Sequence, residues 1–403
     1  MARIKASLLV AIVFLSSLFP ALSQAQSVSA PATLRAGVMT MAPGEEFWAR
    51  FGHDAIVIEN TQTSEAVSFN FGFFDMGEPG FFGNFINGRM QYQLVGLPIG
   101  DDLQSYREKG RGVTMQWLNL DQKQIQTLYL ALAENAKPEN SRYTYDYYKN
   151  NCATRVRDSL DAVLHGQIKK QLSSPSLGNT YRTESVRLAW PAKWMAMGFH
   201  LGLGPAADAP LSRWDEAFIP MRLHDSLRGI KLDNGLPLIN AEEELLPHRL
   251  SMPPDDMPSW KKIAFLLGIA FAIGIYMLAK HAPRLLAVIA GGFWLIGGLL
   301  GCLMLFVWFG SAHWAGYRNA NLLLLSPLAL ALLPGAWKLL RKNKPGIFFN
   351  RLLWLMAASA ALAGFLQFFP FLAQQNFEWV LMLLPVHIAF AKCLGDKPHS
   401  LRD

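Results

Sequence analysis

Tyr145-Asp146-Tyr147-Tyr148-Lys149-Asn150-Asn151-Cys152-Ala153-Thr154-Arg155 is the stretch on which the reading of this chain turns. Downstream of it, Val156, Leu160, Val163 and Leu164 recur at i, i+4, i+7 and i+8, the spacing of an amphipathic helix. Asn150 or Asn151 is a good N-cap, so the helix should begin at Cys152, with the sulfur at the positive end of its dipole. A thiol so placed can lose its proton near neutral pH, and the thiolate is the nucleophilic form.

Location follows from the two ends of the chain. Arg3 and Lys5 precede an apolar stretch over residues 7–19, and Ser23-Gln24-Ala25 fits a small-x-small cleavage site. Residues 1–25 therefore read as a signal peptide and residues 26–258 as an exported domain. From residue 259 to 403 the composition changes. Apolar runs over 263–279, 285–309, 322–340, 352–372 and 379–391 predict about five transmembrane helices. Lys280, Arg284, Arg341, Lys342, Lys344, Arg351, Lys392, Lys397 and Arg402 fall on the predicted cytoplasmic side, against Arg318 in the outer links. Lys261 and Lys262 run against this trend, but the balance is positive-inside and agrees with export.

Much of the net charge of +7 thus reflects topology. With no basic stripe interleaved with aromatics in the exported part, nucleic acid is not expected as a partner. Cys302 and Cys393 fall in or beyond the membrane, so Cys152 is expected to stay unpaired. His165, His200, His224 and His248 lack ligand spacing, and no metal or cofactor is expected.

Within the exported part, residues 55–58 and 66–69 form a hairpin signature, residues 90–95 and 113–118 alternate, and Asp121 caps a helix running to about Asn135. Strands and helices without regular alternation predict an α+β domain. His53 stands at the start of the hairpin. A turn centred on Thr61-Gln62 sets Asn70 directly opposite it, on the same face, where an amide can orient an imidazole. Cys152 and His53 then make a candidate nucleophile and base, with Asn70 as third member. On the residues alone, Cys152 reads equally as a small buried side chain and His53 as a structural histidine. Arg111 and Arg155 are candidates for a phosphate headgroup or for structural ion pairs, and His313 for a headgroup contact or an interfacial anchor.

Several motifs, in order, carry a family resemblance. They are Pro43-Gly44-Glu45-Glu46-Phe47-Trp48-Ala49-Arg50-Phe51-Gly52-His53, Phe69-Asn70-Phe71-Gly72, Gly88-Arg89-Met90-Gln91-Tyr92, Gly110-Arg111-Gly112-Val113 and residues 145–158, then Leu203-Gly204 through Asp208 to Phe218-Ile219-Pro220. In the membrane part His313, Asn319-Ala320-Asn321-Leu322-Leu323 and Ser326-Pro327-Leu328 join them. Together they resemble the Lnb-type N-terminal periplasmic domain family. The resemblance implies a circularly permuted papain-like (NlpC/P60-type) thiol domain, in which the His-bearing strands precede the Cys-bearing helix. It further implies a bacterial inner-membrane lipoprotein N-acyltransferase, moving an acyl chain from a phospholipid donor to the α-amine of a lipoprotein acceptor. Cys152, His53 and Asn70 would be catalytic, and Asn151, Arg155, Arg111 and His313 would bind substrate. Lys149 departs from the acidic residue common before Asn-Cys in that family. Two other readings stay open: a periplasmic cysteine peptidase or amidase acting on peptidoglycan or an exported peptide, and a non-enzymatic envelope assembly or sensor protein.

Overall fold

The computed structural model describes residues 33–369 and 371–395; the predicted signal peptide lies outside them, as do Lys397 and Arg402. Seven strands, β1 (Leu34–Met41), β2 (His53–Asn60), β3 (Glu65–Phe73), β4 (Gln91–Pro98), β5 (Val113–Leu118), β6 (Arg142–Thr144) and β7 (Ile239–Leu246), form one antiparallel sheet ordered β6-β4-β3-β2-β1-β5-β7. Between and after them come α1 (Phe81–Asn87), α2 (Ile99–Glu108), α3 (Gln122–Asn135), α4 (Cys152–Val163), α5 (Gln167–Leu172), α6 (Tyr181–Ala189), α7 (Lys193–Gly202), α8 (Arg213–Glu216) and α9 (Pro220–Leu227). The result is a mixed α/β domain with helices on both faces of the sheet. Along β1 and β2, Ala36, Val38, Ile56 and Ile58 pack against α3, α4 and α9, while Met39, Met41, Ala55 and Val57 pack toward Leu103 and Tyr106 of α2. Burial on both faces explains why the central strands read as apolar runs instead of alternating.

The β2–β3 hairpin pairs Ala55 with Asn70, not His53 with Asn70, because its turn is centred one residue later than predicted. That moves the pairing by two residues, an even slip, so Asn70 keeps the face of His53 and becomes its diagonal neighbour. β1 was not anticipated at all, although it is the strand on which β2 and β5 both pair.

Five segments are long and apolar enough to cross a membrane. Four are helices: α10 (Lys261–His281), α11 (Pro283–Gly310) and, beyond α12 (Leu333–Leu340), α13 (Ile347–Leu366) and α14 (Phe377–Leu394). The remaining crossing, Trp314–Leu340, departs from the predicted continuous helix. It runs through three 3-10 segments, Trp314–Gly316, Ala320–Leu323 and Pro327–Leu332, and becomes α-helical only in α12. Pro327 lacks an N–H, and the Asn319 and Ser326 side chains accept from the backbone N–H groups of Asn321 and Leu328 in place of helical carbonyls. Irregular backbone at this depth needs partners inside the protein. Ser359 Oγ donates to the Leu323 carbonyl at 2.8 Å, and His387 Nε2 lies 2.8 Å from that of Leu324.

A buried polar junction locks the α/β domain to the membrane helices. Arg182, fully buried, donates to Asp208 and to the carbonyls of His200, Leu203 and Gly204. The 200–208 stretch so shaped accepts from the membrane side: Asn319 and Asn321 donate to the Leu201 carbonyl at 2.8 Å, and Gln374 to that of Leu203 at 3.1 Å. Gly204 lies so close to the Tyr317 carbonyl that any Cβ there would collide with it.

Candidate active site

Asn151 is the N-cap of α4: its Oδ1 accepts the Thr154 N–H at 2.9 Å, and Thr154 Oγ1 answers by accepting the Asn151 N–H at 2.8 Å. Asn151 Nδ2 donates to the carbonyls of Tyr147 (3.0 Å) and Phe218 (2.8 Å). With these bonds made and the residue buried, Asn151 acts as the strut that fixes the start of α4. Arg155 is similarly engaged, its Nε donating to Asn150 Oδ1 at 2.6 Å and its guanidinium 4.3 Å from the Tyr143 ring centroid. Neither Arg155 nor Arg111 pairs with a carboxylate among the described residues.

His53 opens β2 on the α2 face of the sheet, and a chain of polar groups stands behind it. Asn70 Nδ2 donates to Asp102 Oδ2 at 2.9 Å and to Ser68 Oγ at 3.1 Å, and Ser68 Oγ donates to the same carboxylate oxygen at 2.8 Å. Asn70 Oδ1 is therefore an acceptor, and His53 Nε2, 3.0 Å away, must carry the proton it receives. The tautomer so assigned leaves Nδ1 as the basic nitrogen. Asp102, in the first turn of α2, is the anchor of this relay and was not anticipated; nothing in the spacing of the sequence ties it to Asn70.

Cys152 starts the helix on the opposite face, and the two sides meet at the end of the sheet. Continuing the β2–β3 ladder sets Gly72 across from His53. Gly72 has a φ of +96°, and a Cβ built on it would lie 3.9 Å from Cys152 Cβ and 3.6 Å from the Tyr145 ring. Only glycine both adopts that backbone and leaves the gap open. No hydrogen bond joins Cys152 to His53 among the described residues.

Electrostatics correct the expected acidity of the thiol. Burial pushes Cys152 up to about 12, and the nearby Asp54 carboxylate adds to this; the backbone groups of Asp54, Ala153 and Cys152 itself oppose it. Desolvation outweighs the helix dipole here. His53 is lowered to about 4 by burial, with the Arg111 guanidinium adding to the effect and the Asn70 bond opposing it. At neutral pH the pair is thus a thiol beside a neutral imidazole. Alkylation of Cys152 by iodoacetamide should accordingly be slow at pH 7 and rise about tenfold per pH unit up to pH 9. A fast rate, level between pH 5 and 8, would instead indicate a preformed thiolate–imidazolium pair.

Two further charged groups border the site. Asp54, fully buried, accepts from Thr40 Oγ1 at 2.7 Å, has no partner at Oδ2, and is raised to about 7 by burial. Arg111 Nε donates to the Ala42 carbonyl at 2.8 Å and the guanidinium stands 4.8 Å from the Tyr106 ring centroid, while one terminal nitrogen is buried without a partner. That nitrogen is a donor able to meet an incoming anion.

The loop leading to Cys152 is seated on the membrane domain. Trp314 Nε1 donates to Asp146 Oδ2 at 2.7 Å, Lys149 Nζ lies 4.0 Å from the Trp314 ring centroid, and Tyr147 stacks on His313 with centroids 6.4 Å apart. Lys149 therefore turns its charge to that ring. His313 Nε2 lies 2.9 Å from the Phe85 carbonyl, so its ring ties the outer loop to α1.

Fold and site together describe a multi-pass membrane protein whose mixed α/β domain stands outside the cytoplasm, with a thiol at a helix start beside a histidine relay. Two family models match it, the Lnb N-terminal periplasmic domain over residues 22–188 and the Lnb transmembrane domain over residues 258–394, and the chain belongs to the Lnb family. The α/β domain is accordingly periplasmic. No curated protein and no solved structure matches the chain.

Proposed function

We propose that this protein is an inner-membrane thiol acyltransferase that moves an acyl chain from a phospholipid to the α-amine of a lipoprotein N-terminal cysteine through a Cys152 thioester. The observation that carries the reading is the docking of the Cys152 loop on the loop between membrane spans, through Asp146, Lys149 and Tyr147. A thiol held at the bilayer surface meets membrane-embedded donor and acceptor without a search through solvent. The chain order of His53, Asn70 and Cys152 supports a permuted papain-like arrangement of the site.

The chemistry proceeds from neutral partners. His53 Nδ1 removes the Cys152 proton as Sγ attacks the ester carbonyl, and the imidazolium is stabilised through Asn70 toward Asp102. Backbone N–H groups at the start of α4 face the tetrahedral oxyanion. The ester C–O bond breaks, the lysophospholipid alkoxide takes the proton from His53, and a thioester remains. The amine then attacks the thioester and gives a proton to His53, which returns it to the departing thiolate.

Product analysis distinguishes amine from water as acceptor. Purified protein in liposomes, given phospholipid and a diacylglyceryl-cysteine peptide, should yield peptide heavier by one acyl chain together with lysophospholipid. Release of free fatty acid alone, or cleavage of peptide without acylation, would overturn the proposal in favour of a hydrolase.

A further inference from the structure

The short helix α1, Phe81-Phe82-Gly83-Asn84-Phe85-Ile86-Asn87, carries large apolar side chains on two sides and no charged residue in its first or last turn. Phe81 and Phe85 pack on the domain core, whereas Phe82 and Ile86 point outward, 67% and 54% exposed. Two large apolar side chains exposed one turn apart mark a surface that calls for an apolar partner. Its position supplies the missing environment. The Ala312 N–H donates to the Asn87 carbonyl at 2.8 Å, and His313 Nε2 reaches the Phe85 carbonyl, so the last turn of α1 is completed by the loop that follows α11 at its outer end. The C-terminal end of α1 is therefore held against the loop that joins two membrane crossings.

Behind α1 an unbroken row of rings leads to the thiol. Phe81 contacts Phe82 and stacks on Phe74, Phe74 stacks on Tyr92 with centroids 4.8 Å apart, and Tyr92 meets Tyr145 at 4.2 Å. Tyr145 and Cys152 both border Gly72. A cavity of about 270 Å³ lies beside this row, lined by Phe73, Phe74 and Tyr92 together with Asp75, Gln91, Gln93 and the Arg142–Glu78 ion pair.

We propose that α1 is embedded in the outer leaflet and that the ring row behind it receives one acyl chain of a leaflet lipid and guides it to Cys152. The catalytic consequence rests on the acyl-transfer reading; the lipid site does not. Aromatic rings set beside polar and charged side chains suit a glycerolipid, whose chain needs burial while its ester region stays hydrated.

The test uses full-length Cys152→Ala protein, which cannot form a thioester, in liposomes containing a phospholipid with a diazirine on one acyl chain. After illumination, adducts should map to peptides spanning residues 73–92 as well as to the membrane spans. Labelling of 73–92 should fall about tenfold in Phe82→Asp/Ile86→Asp, both being exposed positions, and should be unchanged in Leu177→Asp, a fully exposed position outside α1. Adducts confined to the spans, or labelling of 73–92 unaffected by the α1 changes, would overturn the lipid site. Labelling without acyl product in the wild-type protein would uphold the lipid site and remove the acyl-transfer reading instead.

Discussion

Cys152→Ala is expected to abolish both the acyl adduct on the protein and acylation of the peptide acceptor, with the protein still folded and membrane-inserted. The substitution removes one buried sulfur beside a glycine, so its cost to stability should be small, about 1 kcal/mol. His53→Ala should lower the rate by about 10²–10⁴-fold, the usual contribution of a positioned general base. Because thiol and base act as one unit, the double variant should be no worse than Cys152→Ala alone. Asn70→Ala is expected to fall between, since it frees the imidazole to flip its tautomer while leaving the base in place. Measured by intact-protein mass and by lysophospholipid release, residual turnover in Cys152→Ala above that of empty liposomes would exclude the thioester route. Survival of function in both Cys152→Ser and His53→Ala would point to a non-enzymatic role in the envelope.

The second large effect is on stability. Arg182→Ala should destabilise the folded protein by about 3–5 kcal/mol, the range found when one partner of a buried ion pair is removed. Asp208 would be left charged and largely buried, and the carbonyls of His200, Leu203 and Gly204 would lose their shared donor. That stretch is also the surface onto which Asn319, Asn321 and Gln374 dock, so the junction with the membrane helices should loosen with it. In nanodiscs, hydrogen exchange ought to rise over residues 200–208 and 317–321 together. Protection unchanged at 317–321 would mean that the two parts are held by other contacts. Arg182→Lys should recover little, because a single ammonium cannot match a fork that serves a carboxylate and three carbonyls.

Local chemistry was legible in the residues. Asp121 caps α3, with Gln124 completing the capping box, and Asn151 caps α4 at the residue before the thiol; both follow from side-chain oxygens placed ahead of an apolar helical pattern. The link between His53 and Asn70 was legible in face though not in register, because a shift of two preserves alternation. Asp102 and Arg182 were not legible. Each works through partners 18 to 34 positions away, and no short-range pattern marks a charge that will be buried. The crossing at Trp314–Leu340 was legible but its broken backbone was not, since hydropathy counts apolar residues and does not register backbone N–H groups captured by Asn319 and Ser326.

Export, the five apolar crossings and the start of α4 at Cys152 are properties of residue order, because hydrophobic length, charge bias and capping act over a few neighbouring positions. The acidity of the thiol is of another kind. Residue order puts Cys152 on a helix dipole that favours the thiolate, but folding buries the sulfur beside Asp54, and the loss of hydration outweighs the dipole. Tertiary structure likewise decided that Asn151 is a strut, that Asp102 stands behind His53, and that the Cys152 loop rests on Trp314 and His313 of the membrane domain. Each of these depends on which distant groups share a low-dielectric space, and that is set only when the sheet, its helices and the membrane spans have packed.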